Sequence, residues 1–187
     1  MKITSGSLGG RPLHAPDDAR VRPTSDKVRQ AIFNILAHGG GALDLDGIRV
    51  IDLFAGTGAL GLEAISRGAA YALFIDDSAD SRALIRRNVE AFGLTGATKI
   101  WRRDAIDLGP HGAGAGGPFA LAFLDPPYRK GLVAPALASL AQGGWLAPGA
   151  VIVVETAADE DAPSTDGFAA WDARTYGETR VSFLRAS

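Results

Sequence analysis

Apolar positions along this chain fall into short continuous runs separated by stripes at helical spacing. The runs at 48–54, 71–75, 98–101, 121–125 and 150–154 are short and largely apolar on both faces, which predicts buried strands of a parallel sheet. Between them the period changes. Val28, Ala31, Ile32, Ile35 and Leu36 lie on one face of a helix that Pro23 introduces, Thr24 or Ser25 caps and Gly39-Gly40-Gly41 ends. Further helices are expected from Leu60 to Gly68, over 79–92 with Leu84, Ile85, Val89 and Phe92 inward, and over 132–140. A hairpin closes each end: 2–5 with 11–15 around Gly9-Gly10, and 172–176 with 179–184 around Gly177-Glu178. The low-complexity stretch 109–118 is expected to be a mobile loop, and 159–167 an acidic one.

Strands alternating with helices through right-handed crossovers give a doubly wound, Rossmann-like α/β fold. The expected sheet is mostly parallel and seven-stranded, with an antiparallel C-terminal hairpin and a small N-terminal β-hairpin and helix. Residues 1–40 read as an N-terminal extension and residues 41–187 as the main domain. Ligands of such sheets bind at the carboxyl ends of the strands where the winding reverses, here between the first and fourth strands.

Totals narrow the classes. At 187 residues and 47% hydrophobic content, one domain with a sizeable core is expected. No apolar run approaches the ~20 residues of a membrane span, and the first residues hold no signal-peptide core. There is no cysteine, which removes disulfides, thiolate metal sites and cysteine nucleophiles and agrees with a cytoplasmic location. His14, His38 and His111 have no ligand spacing, so no metal is expected. The net charge of −2 hides a basic start: Lys2, Arg11, Arg20, Arg22, Lys27 and Arg29 outnumber Asp17, Asp18 and Asp26 in the first forty residues. Arg20, Arg22, Lys27 and Arg29 gather around a helix N-terminus, which already favours anions.

The chemistry concentrates at strand ends. Gly56-x-Gly58-x-x-Gly61 follows a strand and opens a helix, and Asp76 lies twenty residues beyond Gly56, which satisfies a dinucleotide pattern. Asp52, inside the strand just before the loop, suits a ligand ammonium better than a pyrophosphate. Asp76 and Asp104 close the next two strands, placed for ribose hydroxyls and, with Ala105, for an adenine edge. An adenosyl ligand with an amino-acid tail, S-adenosylmethionine, fits this set. Asp125-Pro126-Pro127-Tyr128 ends the fourth strand, because proline cannot extend a ladder. The exocyclic amine of a nucleobase is a poor nucleophile. The Asp125 carboxylate and Pro126 carbonyl can each accept one of its N–H bonds and align its lone pair, while Tyr128 stacks on a base drawn out of its helix. Glu155 ends a strand near the same edge and reads as structural, Asn88 as helping to terminate its helix, and Trp101, Trp145 and Trp171 as packing.

Together these segments resemble class I S-adenosylmethionine-dependent methyltransferases that act on amines, and more closely the RsmD family of bacterial 16S rRNA (guanine-N2)-methyltransferases. The likeness runs nearly end to end, through the 3–13 hairpin, Arg22-Pro23-Thr24-Ser25-Asp26-Lys27-Val28-Arg29, Asp52-Leu53-Phe54-Ala55-Gly56-Thr57-Gly58-Ala59-Leu60-Gly61 and Phe123-Leu124-Asp125-Pro126-Pro127-Tyr128-Arg129-Lys130-Gly131. The Arg-Pro-Thr segment ahead of the fold narrows the choice. The resemblance implies methylation of one guanine in small-subunit rRNA on assembling 30S subunits, by a monomer. It implies cofactor contacts from Asp52, Phe54, Gly56, Gly58, Asp76, Asp104 and Ala105, and catalysis by Asp125, Pro126 and Tyr128. Substrate contacts are implied for Arg20, Arg22, Thr24, Lys27, Arg29 and Pro127. The sequence departs from the family pattern at Asp76, where Glu is usual, and at Ala120, where an acid is usual. Competing readings are a DNA adenine-N6 methyltransferase, a non-catalytic RNA-binding assembly factor and an NAD-dependent enzyme.

Overall fold

The computed structural model describes residues 1–17 and 24–187, so Arg20 and Arg22 lie outside the described residues. Seven strands form one sheet in the order β3-β2-β1-β4-β5-β7-β6. They are β1 (Arg49–Leu53), β2 (Tyr71–Ile75), β3 (Thr98–Trp101), β4 (Phe119–Leu124), β5 (Leu146–Ala157), β6 (Phe168–Tyr176) and β7 (Thr179–Ala186). β1 to β5 pair in parallel, and β7 runs antiparallel to both β5 and β6. The winding reverses between β1 and β4, as the sequence pattern predicts.

Helices α1 (Asp26–His38), α2 (Ala59–Ser66) and α3 (Ala79–Ala91) cover one face, and α4 (Val133–Gln142) covers the other. Period-two alternation builds both cores. Val50, Leu121, Phe123, Val151, Val153, Val181 and Phe183 meet Ile32, Phe33 and Leu36 of α1 on the first face. Ile51, Leu53, Ala122, Leu124, Ile152 and Val154 meet Leu137 and Leu140 of α4 on the second. Among the described residues, no helix is long and apolar enough to cross a membrane.

Several expectations are sharpened or corrected. The N-terminal hairpin is present but short: Lys2 and Pro12 form its one bridge, and backbone hydrogen bonds join Ile3 to Gly10 and Arg11 and Leu13 to Met1. Of the two expected caps, Ser25 is the one that caps α1, by accepting the Val28 N–H. The buried face of α1 is Arg29, Ile32, Phe33 and Leu36, one position off the expected stripe, with Val28 and Ile35 at its margin. The 109–118 stretch is packed rather than loose. Ala115 is fully buried, the His111 ring meets the Trp145 ring edge-on at 5.2 Å, and the Trp145 indole donates to the Gly109 carbonyl. β5 extends well past the expected 150–154, because its later residues pair along β7.

Candidate active site

A cavity of about 610 Å³ opens where the winding reverses. Asp52, Phe54, Gly56, Asp76, Asp104, Ala105, Asp125, Pro126, Pro127 and Tyr128 all line it, so most of the residues singled out from the sequence converge. Gly58 does not line it. Its backbone, at φ +79°, turns the chain into α2, and a Cβ there would press on Ile85 and Phe74 at 3.3 Å. Gly61 lets α2 lie against β2, since a Cβ would come within 2.5 Å of the Phe74 ring.

Asp52 is 1% exposed and accepts the Gly61 N–H at 3.0 Å. Burial pushes its carboxyl well above the ordinary range; the Gly61 N–H opposes this and the nearby Asp125 and Asp76 add to it. A cation arriving at this wall of the cavity would meet an acid with no cationic partner among the described residues. Asp76 accepts the Gly56 N–H at 2.9 Å and the Ser78 N–H at 2.9 Å, which ties the glycine turn to the end of β2. Each oxygen keeps a lone pair for a further donor. Asp104 is exposed and accepts the Ile106 N–H at 3.1 Å.

The turn after β4 is fixed from both sides. The Tyr128 hydroxyl bonds the Thr179 hydroxyl at 2.8 Å. The Arg129 N–H donates to Glu160, and its guanidinium forks onto Asp159. A second cavity, of about 630 Å³, lies beyond the same turn, with Pro126, Pro127, Tyr128 and Arg129 common to both. The turn is therefore a wall between two cavities. Thr156, 4% exposed, lines the second cavity with a buried hydroxyl that has no partner among the described residues.

Glu155 is the residue sequence reasoning passed over. β4 and β5 run in register, with Phe123 opposite Val153, so the same alternation carries Asp125 and Glu155 to neighbouring positions on the face that α1 covers. Thr24, just ahead of α1, reaches both. Its hydroxyl lies 3.2 Å from Asp125 Oδ2 and 3.0 Å from each oxygen of Glu155. Strand parity carried this signal; the β4–β5 adjacency needed to use it did not.

The other expected substrate contacts divide. Lys27 is exposed on the first turn of α1, and Pro127 is exposed at the turn. Arg29 is not available to a phosphate. It is fully buried, 2.8 Å from Asp26 and 3.5 Å from Glu63, because it sits on the inward face of α1. Asn88 does more than end a helix. Its fully buried amide donates to the His14 and Thr57 carbonyls and accepts the His14 N–H, joining the N-terminal segment to the glycine turn.

Comparison with known proteins gives this geometry a lineage. The family model described as Conserved hypothetical protein 95 matches residues 1–185. Ribosomal RNA small subunit methyltransferase D of Escherichia coli K12 is 38% identical over 165 residues, which cover 88% of this chain and 78% of that protein. The Bacillus subtilis protein YlbH is 33% identical over 99% of this chain and 98% of its own length. Among solved structures, the Escherichia coli protein yhhF superposes with a TM-score of 0.83 at 29% identity, covering 100% of this chain and 97% of that one. The chain has the fold of a class I methyltransferase and belongs to the Conserved hypothetical protein 95 family, the RsmD family of methyltransferases.

Proposed function

We propose that this protein methylates the exocyclic N2 amine of one guanine in 16S rRNA, using S-adenosylmethionine, on the small ribosomal subunit. The observation that carries this reading is the shared wall: the Asp125-Pro126-Pro127-Tyr128 turn faces a cavity with acids and a glycine turn on one side and a second cavity on the other. The first cavity suits S-adenosylmethionine. Buried Asp52 fits an ammonium, Gly56 presents backbone without a Cβ, and Asp76, Asp104 and Ala105 fit ribose and adenine. When bound, S-adenosylmethionine supplies a methyl group on a positively charged sulfur.

The residues of this chain do the aligning. Asp125 and the Pro126 carbonyl accept the two N–H bonds of the amine, which points its lone pair into the first cavity. Tyr128, anchored through Thr179, offers its ring to the base. The Thr156 hydroxyl is placed for a base edge in the second cavity. An amine that gains a methyl group must shed a proton, and Asp125 is the nearest anion to receive it. Residues 1–40 read as the RNA-binding extension and cofactor-site lid, with Lys27, Arg20 and Arg22 on the rRNA phosphates, and residues 41–187 as the catalytic unit.

Labelled methyl transfer tests the reading against 30S subunits lacking the modification, free 16S rRNA and DNA. Transfer to rRNA, mapped by mass to a guanine N2, is expected. Transfer to DNA alone would favour the adenine-N6 alternative, and no transfer with retained RNA binding would favour an assembly factor.

A further inference from the structure

We propose that Glu155 is the positioning partner of Asp125: the two carboxyl groups share one proton, held on Glu155, so that Asp125 remains the anion that faces the reacting amine. This rests on the proposed function for its role, while the shared proton is argued from the geometry and burial of the pair. The Thr24 hydroxyl touches Asp125 Oδ2 and both oxygens of Glu155 within 3.2 Å. A hydroxyl has one proton and can donate to one acceptor at a time. Two carboxylates around it would leave one acceptor facing lone pairs in a buried site, which is strongly unfavourable.

Among the described residues, no cation relieves the pair. The described charges that act on Glu155 are those of Asp125 and Asp52, both acidic. Arg129, across the turn, is engaged by Asp159 and Glu160. Arg103, on the far rim of the first cavity, donates to the Leu108 carbonyl and lies over Trp101. Arg180, on the neighbouring strand, donates to the Glu160 and Ala158 carbonyls.

The asymmetry decides where the proton sits. Burial raises the Glu155 carboxyl well above its usual range, and Asp125 raises it further. Burial also raises Asp125, but hydrogen bonds from Glu155 and Thr24 oppose the rise. Glu155 is 3% exposed, whereas Asp125 is half-buried and opens on the first cavity, so the charge is better solvated on Asp125 and the proton belongs on Glu155. Asp125 lines the first cavity and Glu155 the second, so the proton-sharing pair spans the wall between them.

Infrared difference spectroscopy of wild type against Glu155→Gln, near neutral pH and without substrate, reads the proton directly. The wild type should show the carbonyl stretch of a protonated carboxylic acid that the variant lacks. Asp52, common to both proteins, cancels in the difference. Thr24→Val should keep the band but move it to higher wavenumber, because the acid loses one hydrogen-bond partner. In single-turnover transfer to the rRNA, the wild-type rate should fall on the alkaline side as Glu155 loses its proton. Glu155→Gln should lose that limb, and Glu155→Ala should drop at least about 10-fold at neutral pH, a loss that the isosteric amide largely rescues. No band difference, or identical alkaline limbs, would overturn the shared proton. A band difference with no transfer to any nucleic acid would uphold the pair and sink the proposed function.

Discussion

Two buried glutamates in this molecule are treated in opposite ways. Glu63, on α2, has no exposure, and its carboxylate accepts the Thr4 N–H and hydroxyl and pairs with Arg67 at 3.1 Å and Arg29 at 3.5 Å. Glu155, 3% exposed, has a shared hydroxyl and another acid. Both lie on the face that α1 covers. The first is a joint: two cations and an amide neutralise it, and it fastens the N-terminal segment to α2. The second is held where its charge is disfavoured, which costs stability and leaves it reactive toward protons. A buried acid with every lone pair answered points to architecture, and one facing another acid points to chemistry.

The largest expected effect breaks the first half of that comparison. Glu63→Ala takes one of the two carboxylates from buried Arg29 and removes the partner of Arg67 and Thr4, and denaturant unfolding should report a loss of about 3–5 kcal/mol. Asp125→Asn breaks the second half. Methyl transfer should fall roughly 10²-fold or more, with S-adenosylmethionine affinity by calorimetry nearly unchanged. Gly61→Ala presses a Cβ onto Phe74 at 2.5 Å and displaces the amide that bonds Asp52. It should destabilise by about 1–3 kcal/mol and weaken cofactor binding measured in parallel.

The smallest effect sharpens the comparison with a third acid. Asp52, Asp125 and Glu155 all have raised carboxyls, so the folded chain binds more protons than the unfolded one above the ordinary carboxylate range. Stability should therefore fall as pH rises from about 4 toward their raised values. Asp52→Asn keeps an acceptor for the Gly61 N–H and removes one share of that fall. It should melt higher than wild type at pH 8, by on the order of 1 kcal/mol or ~2–4 °C, and equally at pH 4, while losing cofactor affinity.

The same contrast explains what the sequence made legible. Strand runs, the glycine turn and the Asp125–Tyr128 turn are local patterns, and the structure brings their residues to one cavity. Arg29 misled because a cation near a helix start looks solvated until the helix phase is known; one position of rotation turns it inward. Glu155 was missed because its partner lies on a different strand and its hydroxyl bridge arrives from residue 24. The 109–118 stretch looked loose because glycine and alanine carry no pattern, yet Trp145 and Phe119 supply the surface it packs on.

The Thr24 bridge also sets an order of assembly. Thr24 is separated from Asp125 by 101 positions and from Glu155 by 131, and Thr4 from Glu63 by 59. During synthesis Thr4 and Thr24 emerge before their partners, and Thr24 waits for strands made much later. A ribosome-bound chain stalled before β5 would hold the glycine turn and the Asp125 turn without the acid that completes the pair. Thr24 thus completes its contacts only once β5 has been made.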